Sequence, residues 1–134
     1  MMSAGKQDLS GRWSGIFSYP RLLPPTPFDA DLRDHLGALL GETFEYGAGR
    51  RTKGRPMHGM IEGQRSGDVV SFVKTYDDLG RLHTPVYYSG RLNADGTEIS
   101  GTWEIPGHWS GNFLMMRAKA DSVVMERELA QPVT

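Results

Sequence analysis

The chain has 134 residues, a formal net charge of −1 at pH 7, 38% hydrophobic residues and 23% charged ones, which fits one domain able to bury its own core. This balance excludes a general electrostatic pull toward nucleic acid or anionic membrane. With no cysteine it also excludes a disulfide framework, a thiolate metal site and a cysteine nucleophile.

Residues Met1 to Asp8 lack the apolar run of a signal peptide, and no stretch approaches a membrane span. A soluble cytoplasmic protein is expected, with a core of about residues 11–117 and a tail of 118–134. Period-two alternation dominates the core, and helical periodicity is nearly absent. The first predicted strand, Gly11 to Tyr19, sets Trp13, Gly15, Phe17 and Tyr19 on one face. The second, Phe28 to Leu36, alternates Phe28, Ala30 and Leu32 with Asp29, Asp31 and Arg33. The third, Leu39 to Tyr46, groups Leu40, Glu42, Phe44 and Tyr46. Met57 to Gly63 is a less regular fourth, Val69 to Tyr76 the fifth and Val86 to Asn93 the sixth. In the seventh, Glu98 to Ile105, the face Ile99, Gly101, Trp103 and Ile105 alternates with Glu98, Ser100, Thr102 and Glu104. Trp109 to Arg117 is the eighth. In the tail, Asp121 caps a short predicted helix through Leu129, and Pro132 ends it.

The connections alternate in length. Gly37-Ala38, Arg65-Ser66-Gly67 and Ala94-Asp95-Gly96 are tight turns, whereas Pro20 to Pro27, Gly47 to Pro56 and Asp77 to Pro85 are long. In an up-and-down meander this collects the tight turns at a floor and the long loops at a rim. Trp13-Ser14-Gly15-Ile16-Phe17 is echoed by Trp109-Ser110-Gly111-Asn112-Phe113, as expected of first and last strands that pair. Glycine is abundant, 17 residues against a usual frequency of about 7%, and much of it falls inside strands, where it permits sharp bends. The expected fold is all-β: an eight-stranded antiparallel up-and-down β-barrel. Its interior is just wide enough to be filled by side chains or to hold one small ligand.

Gly11-Arg12-Trp13 on the first strand, followed by such a meander, resembles the calycin superfamily of lipocalins, fatty-acid-binding proteins and avidins. The resemblance implies that Trp13 plugs the floor and that Arg117, at the end of the last strand, covers it, a stack contributing about 0.5–2 kcal/mol. It also implies small-molecule binding in the cup.

Several groups could carry that binding. The rim segment Gly47 to Arg55 holds Arg50, Arg51, Lys53 and Arg55 with no acid, which suits an anionic ligand or simply a solvated loop. Tyr19, Tyr46, Tyr76, Tyr87 and Tyr88, with Trp103 and Trp109, concentrate toward the rim and suit either an apolar pocket with polar tips or a filled core. His58, His83 and His108 map to the rim or upper wall. They lack the spacing of a metal site, although one of them holding a haem is an alternative to the expected absence of any cofactor. Glu42 shares a face with Leu40 and Phe44, and Lys74 with Phe72 and Tyr76. Both inside, they would pair or act as acid and base. The cost of a buried unpaired charge favours the other arrangement, with Val69, Ser71, Val73 and Thr75 inward and Lys74 outside.

The expected ligand-binding set is therefore Tyr19, Glu42, Phe44, Tyr46, Arg55, Tyr76, Tyr88, Trp103, His108 and Trp109. The expected function is non-catalytic binding of a small, partly apolar ligand open to an anionic group. Neither nucleic acid nor membrane is an expected partner. Two alternatives stand beside it. One is a cyclase, isomerase or lyase using rim His and Tyr with an interior Glu. The other is a filled barrel acting as an interaction module, including a homo-oligomer through Leu114 and Met116.

Overall fold

A computed structural model describes residues 8–20, 24–47, 53–77 and 85–118. The proposed Asp121 to Leu129 helix, His83, Arg50 and Arg51 lie outside the described residues. Eight strands run β1 Gly11–Ser18, β2 Thr26–His35, β3 Ala38–Tyr46, β4 Pro56–Ser66, β5 Val69–Tyr76, β6 Val86–Leu92, β7 Glu98–Ile105 and β8 Trp109–Met116. They form a closed antiparallel barrel in which each strand pairs with its chain neighbours and β1 closes onto β8. The echoed segments meet there: Phe17 stands opposite Phe113. Closure leaves no unpaired sheet edge. No helix among the described residues is long and apolar enough to cross a membrane.

One face of every strand points into the barrel. Trp13, Phe17, Phe28, Ala30, Leu32, Leu39, Ile61, Val70, Phe72, Val86, Tyr88, Leu92, Ile99, Trp103, Phe113 and Met115 are all buried in one cluster. The strand glycines share this inner face. A Cβ on Gly41 would meet the carbonyl of Asp31, one on Gly63 or Gly101 the carbonyl of Ser71 or Ser89, and one on Gly15 the ring of Phe28. Strands coiled tightly enough to close an eight-stranded wall bring their inner surfaces too near for a side chain at every site.

The inner face of β3 consists of Leu39, Gly41, Thr43 and Glu45, so Leu40, Glu42, Phe44 and Tyr46 share the outer face instead. Register decides this: Leu32 of β2 pairs with Gly41, Ala30 with Thr43 and Phe28 with Glu45. On β5 the inner face is Val70, Phe72, Lys74 and Tyr76, and Lys74 is 1% exposed. The favoured outward placement of Lys74 is thereby overturned, because Glu45 supplies the counter-charge that the sequence reading lacked.

The floor is sealed by a polar lock around apolar plugs. Leu9 and Trp13 are fully buried, and Trp13 Nε1 donates to the Leu9 carbonyl at 2.9 Å. The Arg117 guanidinium lies 4.6 Å from the Trp13 ring centroid and donates to the carbonyls of Gly96, Ser10 and Asp8. The buried Asp34 carboxylate accepts from Leu9 N, Gly37 N and Arg65 Nε at 2.8–2.9 Å. Burial opposes the Asp34 charge, but Arg65 and the two backbone N–H groups outweigh it and hold its pKa below the usual value. The β2–β3 turn is Leu36-Gly37, one residue earlier than expected, with φ of +52° and +96°. Positive φ at both central residues gives the twist that matches a tight hairpin.

Candidate functional site

At the opposite end the interior is not filled. A cavity of about 190 Å³ lies among Phe17, Tyr19, Glu45, Gly47, Met57, Tyr76, Val86, Tyr88, Trp103, Ile105 and Trp109. A dry cavity of about 150 Å³ holds benzene, whereas pockets for drug-sized ligands begin near ~300 Å³. The space suits a single ring with a small substituent.

Aromatic side chains form much of the wall. Tyr19, at the end of β1, contacts Phe17 edge-on at 5.4 Å, Trp103 at 5.9 Å and Trp109 at 5.0 Å between centroids. Trp103 and Trp109 cross at 90°. Trp103 Nε1 donates to the Ser18 carbonyl at 3.0 Å, which fixes the indole. It can lie flat there because Gly111 opposite it carries no side chain; a Cβ at that site would approach the indole to 2.7 Å. The Tyr19 hydroxyl accepts from Thr26 Oγ1 at 3.2 Å.

The polar group beside the cavity comes from two strands. Glu45 on β3 accepts from Lys74 Nζ at 3.0 Å and from the Tyr76 hydroxyl, which sits 3.1 Å from both carboxylate oxygens. Lys74 and Tyr76 lie on β5, which is separated from β3 by β4. Gly59 of β4 makes the meeting possible: a Cβ there would stand 2.5 Å from Thr43 Oγ1 and 3.1 Å from Lys74 Cγ. The lysine and glutamate side chains are 2% and 4% exposed, so the pair is withdrawn from bulk water. Four rings surround the ammonium, Tyr76 and Phe17 at 4.6 and 4.7 Å, Tyr88 and Phe28 at 5.3 and 5.6 Å from their centroids.

These contacts set the protonation states. Burial weighs most on Lys74 and disfavours its charge. The negative character of the Tyr88, Tyr76 and Glu45 oxygens together outweighs it, and the net displacement is upward. Burial likewise pushes the Tyr76 and Tyr88 phenols up, past the opposing pull of Lys74. Lys74 is therefore a fixed cation at neutral pH, the opposite of the lowered-pKa amine that covalent catalysis through lysine needs.

Of the residues expected at the site, the cavity brings together Tyr19, Tyr76, Tyr88, Trp103 and Trp109. Glu42, Phe44 and Tyr46 are on the outer wall, the last two 43% and 68% exposed. Glu42 meets His58 there at 3.4 Å, and His58 in turn meets Asp77 at 3.4 Å. Arg55 is exposed at the rim, and His108 is exposed in the turn between β7 and β8. Neither borders the cavity. No group among the described residues has the arrangement of a metal site. The sequence reading did not single out Glu45, which replaces Glu42 as the interior carboxylate. Gly41 was the available signal, since it marks the β3 face that must point inward. Compared with known proteins, the sequence matches no family model and no curated protein.

Proposed function

We propose that the protein is a calycin-like, non-catalytic binding module of the cytoplasm that holds a small, largely apolar, single-ring ligand in its barrel cup. The carrying observation is the ~190 Å³ space walled by aromatic rings at one end of a barrel whose other end holds the fully buried Leu9 and Trp13. Burial of a ring against Phe17, Tyr19, Trp103 and Trp109 supplies the affinity. The stack of Arg117 on Trp13 supports the calycin-like reading of the floor. Among the described residues the charged one lining the cavity is Glu45, so support for an anionic ligand comes from basic residues of the rim segment such as Lys53 and Arg55.

Thermal unfolding with and without toluene and indole tests the reading. A ligand at 100 times its dissociation constant adds about 2.7 kcal/mol to stability, a rise of several degrees in Tm. Val86→Phe, which puts a ring into the space Val86 borders, is expected to remove the rise. Unchanged Tm with both compounds up to their solubility limits would refute the cup as a binding site.

A further inference from the structure

Resting on that reading of the cup, we infer that the ligand carries an N–H or O–H donor directed at the Glu45 carboxylate, and that an otherwise equal anion is rejected. Three observations converge. Among the described residues, Glu45 is the charged one lining the cavity. Lys74, which neutralises it, is sealed behind Phe17, Tyr76 and Tyr88 and does not border the space. The cavity therefore presents the negative member of the pair and hides the positive one.

The carboxylate is also short of donors. An ionised carboxyl offers about four acceptor sites. Among the described residues Glu45 receives Lys74 Nζ on Oε1 and one Tyr76 hydrogen shared between Oε1 and Oε2. Oε2 has the Tyr76 hydroxyl as its one donor, and the side chain is 4% exposed and barely reached by bulk water. A buried carboxylate oxygen in this condition gains from a donor that a ligand brings. The Tyr19 hydroxyl adds a second polar point. It accepts from Thr26 Oγ1 and its own hydrogen has no acceptor among the described residues, so it can donate to an acceptor on the same ring compound. A carboxylate-bearing ligand would set like charge against Glu45 in a water-poor space. A cationic or neutral donor meets no such opposition.

The test compares four probes of one ring size, benzamidine, benzamide, benzoate and toluene. Isothermal titration gives their affinities. The indole N–H resonances of Trp103 and Trp109 report cup binding in ¹⁵N-labelled protein, with floor-bound Trp13 as the internal control. A hydrogen bond to a charged group predicts that benzamidine and benzamide bind at least about tenfold tighter than toluene, with benzoate weakest. In the Glu45→Gln, Lys74→Met double variant, which keeps the pocket shape and net charge, the benzamidine-to-benzoate ratio is expected to shrink at least about tenfold.

Benzoate binding as tightly as benzamidine, toluene matching both donors, or an unchanged ratio in the double variant would each overturn the inference while leaving the cup reading intact. No binding by any of the four would overturn both.

Discussion

Removing one member of the Glu45–Lys74 pair should cost far more stability than removing both. In Glu45→Gln the ammonium stays 2% exposed with no counter-charge, and breaking a buried pair in this way costs about 3–5 kcal/mol. The rings of Tyr76 and Phe17, at 4.6 and 4.7 Å, still attract the cation, each by about 0.5–2 kcal/mol. The expected loss is therefore near the lower end, about 3 kcal/mol. That is a large part of the ~5–15 kcal/mol typical of a domain. Lys74→Met strands the carboxylate with Tyr76 as its remaining donor and should lose a similar amount. The double variant leaves a neutral amide that still accepts from Tyr76 and a thioether among aromatic rings, an arrangement that suits methionine. Its cost should be smaller than either single change. Urea unfolding followed by tryptophan fluorescence, with linear extrapolation to water, measures all four proteins. A Glu45→Gln loss below about 1 kcal/mol, the value of an exposed pair, would refute the buried-pair argument. So would a double variant whose loss equals the sum of the singles.

Two further outcomes follow from the floor and the first hairpin. Folding lowers the pKa of Asp34, so the unfolded chain binds its proton more readily. Its stabilisation is complete above the ordinary aspartate pKa of about 3.9 and is lost as pH falls through the folded value. Asp34→Asn should cost about 1.5–3 kcal/mol at neutral pH and flatten the acid limb of stability against pH; an unchanged acid limb would count against the Arg65–Asp34 lock. Leu36 is 93% exposed with φ of +52°, so it bears left-handed strain with little packing in return. Leu36→Asn should stabilise by up to about 1 kcal/mol, and a loss of stability in the same unfolding assay would show that the side chain has a partner.

Alternation, turn chemistry and the Trp-Ser-Gly echo were enough to specify eight strands, their order and the closure of β1 on β8, because strands and turns are written in residues close together along the chain and the echo repeats one local pattern near its two ends. Period two, however, defines two faces and does not say which is inside. On β1, β2 and β7 one face is plainly more apolar or aromatic, so the choice was legible in Trp13 and Phe17, Phe28 and Leu32, Ile99 and Trp103. On β3 both faces carry large apolar groups, Leu39 on one and Leu40 and Phe44 on the other. There the decision fell to register against β2, where the missing side chain of Gly41 allows close approach to Asp31 and Leu32.

The site was less legible for the same reason. Whether Lys74 can be buried depends on a carboxylate 29 residues away, and that carboxylate's orientation depends on the β3 register. Local pattern supplied the strands and the aromatic residues at the rim. Only the side-by-side pairing of β3, β4 and β5 could bring Glu45, Lys74 and Tyr76 together across the gap left by Gly59, because a charge becomes tolerable inside when its partner arrives from another strand.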